Sequence, residues 1–351
     1  MEMLKQIAGM DSAERFVFFC ELYDTGHGDD FVTYIASLPR ESLAGLLENF
    51  PRYERDRIEE ALDRMGSVDE KTGQSAATYL RDVLNRMGEL MDRQKKLKAK
   101  NRKQTAINRD FMKEWLTREK GISDQMKGMP CPPLQKAPGK DAVIVTLPEP
   151  SASTLARNDL FAAIRDRQSR RRFSNQPLTL DELSFLLWST QGIKKCVADG
   201  RISIRTVPSA GARHPFETYI GINHVEGLEP GMYHYLPVDH SLELCFRDES
   251  LVDRLIEVGV GQRFVGECAA CFIWSCIPYR GEWRYNVASH KNMLLDAGHV
   301  CQNLYLACET IGCGTCAIGA YNQEIADSYL GLDGKDEFVV YLSPVGKLPV
   351  K

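Results

Sequence analysis

The sequence predicts an α+β protein with an all-helical N-terminal region, on three observations. Residues 1–92 show helical periodicity without a strand-like run, whereas residues beyond 141 mix amphipathic helices with short β-branched and aromatic runs. A proline-rich connector separates the two textures. The implied organisation is a helical domain over 1–105, a basic helix and Pro-rich linker over 106–140, and an α+β domain over 141–351.

In the first part, "SAERFVFFCELY" opens with Ser12 as N-cap. "PRESLAGLLENF" and "ERDRIEEALDRMG" follow, the latter closing at Gly66. "SAATYLRDVLNRMGELMDRQKKLKAK" is a long amphipathic helix with Leu80, Val83, Leu84 and Leu90 at helical spacing. Charge switches along it: residues 1–92 carry 10 Lys/Arg against 19 Asp/Glu, and residues 93–120 carry 11 against 3. The basic stretch "RQKKLKAKNRK" lacks interleaved aromatics for base stacking, so it reads as a solvated helix end rather than a nucleic-acid patch. A net charge of −4 points the same way. No apolar run reaches membrane-spanning length and the N-terminus lacks a signal-peptide core, so a cytoplasmic location is expected. Eleven scattered cysteines suit reduced thiols rather than a disulfide framework.

Beyond the connector "GMPCPPLQKAPGK" (128–140), which proline keeps extended, "AVIVTL" (142–147) reads as a strand. "SASTLARNDLFAAIRD" reads as a helix capped by Ser151 or Ser153. "TLDELSFLLWSTQG" is a second helix, with Thr179 as N-cap and Glu182 completing a capping box. "FETYIGI" and "CFIWSCI" have strand composition and length. "HKNMLLDAGHVCQNLYLACETIG" is a long helix stopped by Gly312, and "EFVVYLSPVGK" a last strand that Pro344 should break.

Four stretches carry candidate chemistry. Arg165, Arg167, Arg170, Arg171 and Arg172 fall within eight positions; they need solvent or anions around them, as a nucleic-acid patch, a solvated run or a cradle for a small anion. "PSAGARHP" (208–215) combines small residues, which allow close backbone approach, with the donors Ser209 and Arg213. "GCGTCAIGAY" (312–321) holds three glycines but matches neither dinucleotide nor P-loop spacing. "SPVGK" ends on Lys347. The C-x-x-C pairs Cys268/Cys271 and Cys313/Cys316 raise zinc, but the first precedes the strand "CFIWSCI", where positions three apart in an extended segment face opposite sides, and the second lies in the glycine-bearing loop, so no metal is expected. His299 reads as a core histidine of the long helix, and His214 as a candidate site-lining residue.

From about residue 107 onward these stretches occur in an order that resembles the nitroreductase superfamily, in its SagB/ThcOx-type dehydrogenase branch. The resemblance rests on "IRDRQSRRRFSNQPLTLDELSFLLWSTQGI", "RTVPSAGARHPFETYIGI", "LEPGMYHYLP", "NMLLDAGHVCQNLYLA", "GCGTCAIGAY" and "PVGK". It implies a mainly antiparallel sheet flanked by helices, a homodimer, and FMN at the dimer interface, with NAD(P)H as hydride donor and a small-molecule or peptide substrate. By the R-x-S-x-R pattern, Arg167 would pair with the FMN phosphate, Ser169 would hydrogen-bond beside it, and Arg171 would reach N1/O2 of the ring. Pro208, Ser209, Ala210 and Gly211 would line the partner's flavin. Ile318, Gly319 and Ala320 would lie near the ring, with a backbone N–H close to N5, and Lys347 would help hold the phosphate. A guanidinium at N1/O2 suits the negative charge that reduction places there. Azoline-oxidising members carry a Lys-Tyr pair implicated in proton removal; here the matching residues are Arg284 and Tyr285, and arginine stays protonated. The resemblance also admits a flavin-binding protein without turnover, or a subunit of a peptide-modifying complex.

Overall fold

A computed structural model describes residues 96, 97, 100–113 and 121–349. The chain divides into two units, residues 1–111 and 112–351. In the first, residues 100–111 are helical and mostly exposed, in keeping with a solvated basic helix. The helices expected over 1–92 lie outside the described residues.

The second unit contains strands β1 (Val143–Thr146), β2 (Ile193–Val197), β3 (Ile202–Arg205), β4 (Phe216–Ile222), β5 (Gly231–Leu236), β6 (Ser241–Phe246), β7 (Ala270–Cys276), β8 (Cys313–Thr315) and β9 (Phe338–Lys347). Its helices are α1 (Leu160–Asp166), α2 (Leu180–Gln191), α3 (Leu251–Val258), α4 (Arg263–Gly266), α5 (Tyr279–Tyr285), α6 (Ser289–Thr310) and α7 (Gln323–Tyr329). Seven strands form one antiparallel sheet in the order β1-β6-β5-β4-β7-β9-β8, and β2-β3 is a separate hairpin.

The alternation along β7 explains why its sequence is apolar throughout. Ala270, Phe272, Trp274 and Cys276 enter the core that includes Leu183 and Leu187 of α2 and Val300 and Leu304 of α6. Cys271 and Ile273 enter the opposite core, with Leu251 and Leu255 of α3 and Val265 of α4. The strand is buried on both faces, so no polar alternation survives.

The capping box forms as expected: Thr179 Oγ1 accepts from Glu182 N at 3.2 Å, and Thr179 N donates to Glu182 Oε2 at 2.9 Å. Ser151, however, caps only a 3₁₀ turn, Ala152–Thr154. The amides of Ala156 and Arg157 both donate to Thr310 O at the end of α6, which interrupts the helix. α1 then starts afresh behind Asp159, which accepts from Ala162 N at 3.2 Å. Pro344 does not break β9. Val345 O faces β7, where it accepts from Ala269 N, so residue 344 turns its missing N–H to the other side, beyond the end of the β8 ladder at Thr315.

The Pro-rich connector is a strap across the sheet. Lys136 N donates to Glu217 Oε1 at 2.9 Å, Lys136 Nζ meets Glu337 at 2.6 Å, and Arg205 donates to Leu134 O at 2.7 Å. Beneath it, Glu217 is ion-paired to Arg280 of α5, and lies 2.7 Å from His234 Nε2. The cysteine reading needs correction. Cys268 sits in the turn before β7, where strand alternation does not apply, and its thiol meets Cys271 in the same core. That contact, then burial, raises the Cys271 pKa. Both thiols are free.

Candidate functional site

The arginine segment runs from the C-terminal end of α1 across β8 and β9. It lies close because two cross-strand glycines, Gly314 and Gly346, leave room: a Cβ at 314 would strike Arg170, and one at 346 would strike Phe173. Arg170 N donates to Thr315 O at 2.8 Å. Here these glycines serve the chain's own packing.

Five arginines of the segment, with Arg157, line an open groove of about 1080 Å³ shared with Asp166, Glu309, Ser169, Leu348 and Pro349. The two acids are already engaged. Asp166 pairs with Arg157 and Arg165, both at 2.8 Å, and Glu309 with Arg157 at 3.0 Å and Arg170 at 3.9 Å. Arg167, Arg171 and Arg172 meet no carboxylate among the described residues. The Arg167 guanidinium sits over the Tyr305 ring at 5.1 Å, and that of Arg171 near Phe264 at 6.0 Å. A groove with three unpaired cations suits a ligand of concentrated negative charge.

Beside the groove, the loop after β8 is pinned by Ile318, whose amide donates to Leu342 O at 2.8 Å and whose side chain is buried. Gly319 and Ala320 are exposed, and a Cβ at 319 would meet nothing within 4 Å. Nothing in the chain's own packing requires glycine there. Lys347 stands apart from the arginines: its ammonium is ion-paired to Glu182 and reaches Ile311 O at 3.5 Å, and it does not line the groove.

The second group of residues meets around α5. Ser209 opens a 3₁₀ turn, Ala210–Ala212, and its hydroxyl accepts from His214 N at 2.9 Å. Ala210 N donates to Asp296 Oδ2 at 3.2 Å, and Pro208 is exposed. Gly211 has φ +61°, and a side chain there would strike the Tyr285 hydroxyl. Arg284 Nη1 lies 3.5 Å from Gly211 O, with its guanidinium 5.3 Å from the Tyr285 ring. The small-residue turn and the Arg-Tyr pair are therefore one constellation. His290 and Glu282, 2.6 Å apart, line a second cavity of about 870 Å³ floored by Phe216, Met293 and Phe338.

His299, expected in the core, is instead half-exposed on the outer face of α6, 3.9 Å from Asp296. His214 is buried, and burial together with the Arg205 cation lowers its pKa from 6.5 to about 3. The folded protein keeps it neutral, whereas the unfolded chain takes up a proton near pH 6.5. Its contribution to stability is present above pH 6.5 and declines as pH falls toward 3, by up to about 1.4 kcal/mol per pH unit. Urea unfolding followed against pH should show this decline begin below 6.5, and His214→Asn should flatten its upper part. An unchanged profile in that variant would refute the assignment.

Two contributors escape a sequence reading. Asp296 and Tyr305 lie on buried turns of α6 and look like helix filler; Tyr305 reaches Ser169, 136 residues away, and Asp296 reaches Ala210, 86 residues away.

An antiparallel sheet between two helical layers, with a cationic groove at its β8 edge, defines an α+β protein equipped for an anionic ligand. The chain belongs to the nitroreductase family, whose sequence profile matches residues 164–347. A protein named as a nitroreductase, MJ1384 of Methanocaldococcus jannaschii, is 33% identical over 181 residues, 52% of this chain and 87% of that protein. The trifolitoxin-processing protein TfxB of Rhizobium leguminosarum bv. trifolii is 30% identical over 140 residues, 39% of this chain and 38% of its own length. Among solved structures, one named as a nitroreductase from Anabaena variabilis superposes with a TM-score of 0.51 at 25% identity, covering 60% of this chain and 42% of that one. Among the described residues no helix is long and apolar enough to cross a membrane.

Proposed function

We propose that the protein is an FMN-dependent oxidoreductase of the SagB/ThcOx-type branch, working as a homodimer with FMN between the subunits. The observation that carries the reading is the groove in which Arg167 and Arg171 stand without acid partners beside Ser169 and the open Gly319–Ala320 backbone. These residues fit the cofactor: a cation and hydroxyl for its phosphate, a second cation for the ring's N1/O2 edge, and exposed backbone for N5. Because Ile318 uses its amide within the chain, the N–H offered to N5 comes from Gly319 or Ala320. Lys347, held by Glu182, leaves the phosphate to the arginines.

FMN, when bound, supplies the two-electron chemistry between NAD(P)H and an organic acceptor, or accepts hydride from a substrate directly. The chain's own task is to hold, orient and shield. Ser209, Ala210 and Gly211, backed by Asp296 and Tyr285, form the turn offered to the partner's ring. Dimer formation is supported by apolar surface on two helices: Leu160, Phe161 and Ile164 of α1, and Leu294 and Leu295 of α6, are each more than half exposed. The relative named for trifolitoxin processing favours a peptide-borne substrate.

Purified protein supplied with FMN should be yellow and bleach on anaerobic addition of NADH or NADPH. Arg171→Ala should lower the bleaching rate more than the FMN content; equal loss of both would reduce Arg171 to an anchor. A second reading, a flavin-binding subunit without NAD(P)H turnover, draws on Arg284, which cannot serve as the base that a lysine supplies. A yellow protein that never bleaches would favour it.

A further inference from the structure

We infer that Tyr305 is a positioning residue that turns the Ser169 hydroxyl proton outward, making Ser169 a committed donor to a bound phosphate monoester. The inference rests on the FMN reading and concerns how that site is set before ligand arrives.

Hydrogen-bond direction decides which of the two hydroxyls donates. Tyr305 is buried, 8% exposed, toward the C-terminal end of α6. Its hydroxyl oxygen accepts the Ala317 amide proton at 2.8 Å. A buried hydroxyl must also place its own proton, because leaving it unmet is costly. The acceptor within reach among the described residues is Ser169 Oγ, at 2.9 Å. Tyr305 therefore donates to Ser169, and the serine, which is exposed, has its own proton left for the groove. The chain runs from Ala317 N–H through Tyr305 O–H to Ser169 O–H, each donor polarising the next.

Two further contacts hold the relay's ends. Ser169 is paired with Thr315 in a short parallel bridge, with Arg170 N donating to Thr315 O at 2.8 Å. Arg167 rests over the Tyr305 ring at 5.1 Å, so one side chain orients the hydroxyl donor and supports the cation beside it.

The test compares FMN with riboflavin, which lacks the phosphate, by fluorescence titration of the full chain. Unmodified protein should prefer FMN. Tyr305→Phe, which keeps the ring under Arg167, should cut that preference about tenfold while leaving riboflavin affinity within about twofold. Ser169→Ala, an exposed and structurally mild change, should cut it equally, and the double variant should show no additional loss. A Tyr305→Phe protein that weakens both ligands alike, or neither, overturns the relay, as does a double variant whose losses add. Unmodified protein that binds FMN no better than riboflavin overturns the phosphate reading and the relay with it, and is recognised because it needs no variant.

Discussion

Replacing Arg167 with alanine should weaken FMN binding about 100-fold while leaving the apoprotein's unfolding free energy almost unchanged. The first part follows from the strength of a charge-assisted hydrogen bond to phosphate, roughly 1.5–3 kcal/mol, in a groove where no carboxylate compensates Arg167. The second follows because its intramolecular contact is a half-exposed stack over Tyr305, worth about 0.5–1 kcal/mol. Fluorescence titration and urea unfolding of the same preparation separate the two. Arg165→Ala is the control: that side chain is already committed to Asp166 and is exposed, so FMN affinity should barely move. If the two variants bind FMN equally well, Arg167 is not the phosphate anchor.

The largest effect on stability should come from Arg280→Leu, at about 3 kcal/mol, because it removes the buried cation paired with Glu217 and leaves that carboxylate only His234 and the Lys136 amide. Both side chains are buried, and Arg280 Nε and Nη1 meet no partner among the described residues, so the pair is retained at a cost. Arg280 lies on α5, four and five residues before Arg284 and Tyr285, so losing it should also blur the constellation around Gly211. The double variant Arg280→Leu with Glu217→Leu should recover part of the loss, since it removes the buried carboxylate but takes the acceptor from the Lys136 amide and His234. The pair also sets acid behaviour. Burial alone would raise the Glu217 carboxyl, but His234 and Arg280 outweigh it and lower the pKa from 4.5 to about 2. Its contribution is present above pH 4.5 and lost as pH falls toward 2, about 3 kcal/mol in all. Glu217→Gln should flatten that lower limb and leave the His214 limb near pH 6.5 in place. A single Arg280→Leu change costing less than about 1 kcal/mol would contradict this view of α5.

Local rules made much of the fold legible. The capping box at Thr179 and Glu182, the strand content of "FETYIGI" and "CFIWSCI", and the helix ending before Gly312 all follow from short-range chemistry. Failures came where a distant partner intervened. α1 starts late because Thr310 captures the amides of Ala156 and Arg157, and Pro344 fits because β8 is only three residues long. At the site, sequence singled out the arginines but could not tell which would be neutralised, since Glu309 arrives from 139 positions beyond Arg170. The glycines were legible as unusual, yet Gly314 and Gly346 admit Arg170 and Phe173, while Gly319 faces open space. Tyr305 and Asp296 gave no signal, because their roles depend on contacts that no spacing encodes.

The claim at the centre is that two copies of this chain together hold each flavin, one bringing Arg167, Ser169 and Arg171, the other the turn from Pro208 to Gly211. Native mass spectrometry of the FMN-loaded protein tests it most directly. The expected result is a dimer carrying two FMN, with flavin released when the dimer is diluted to single chains. A single chain that keeps FMN at undiminished affinity would contradict it.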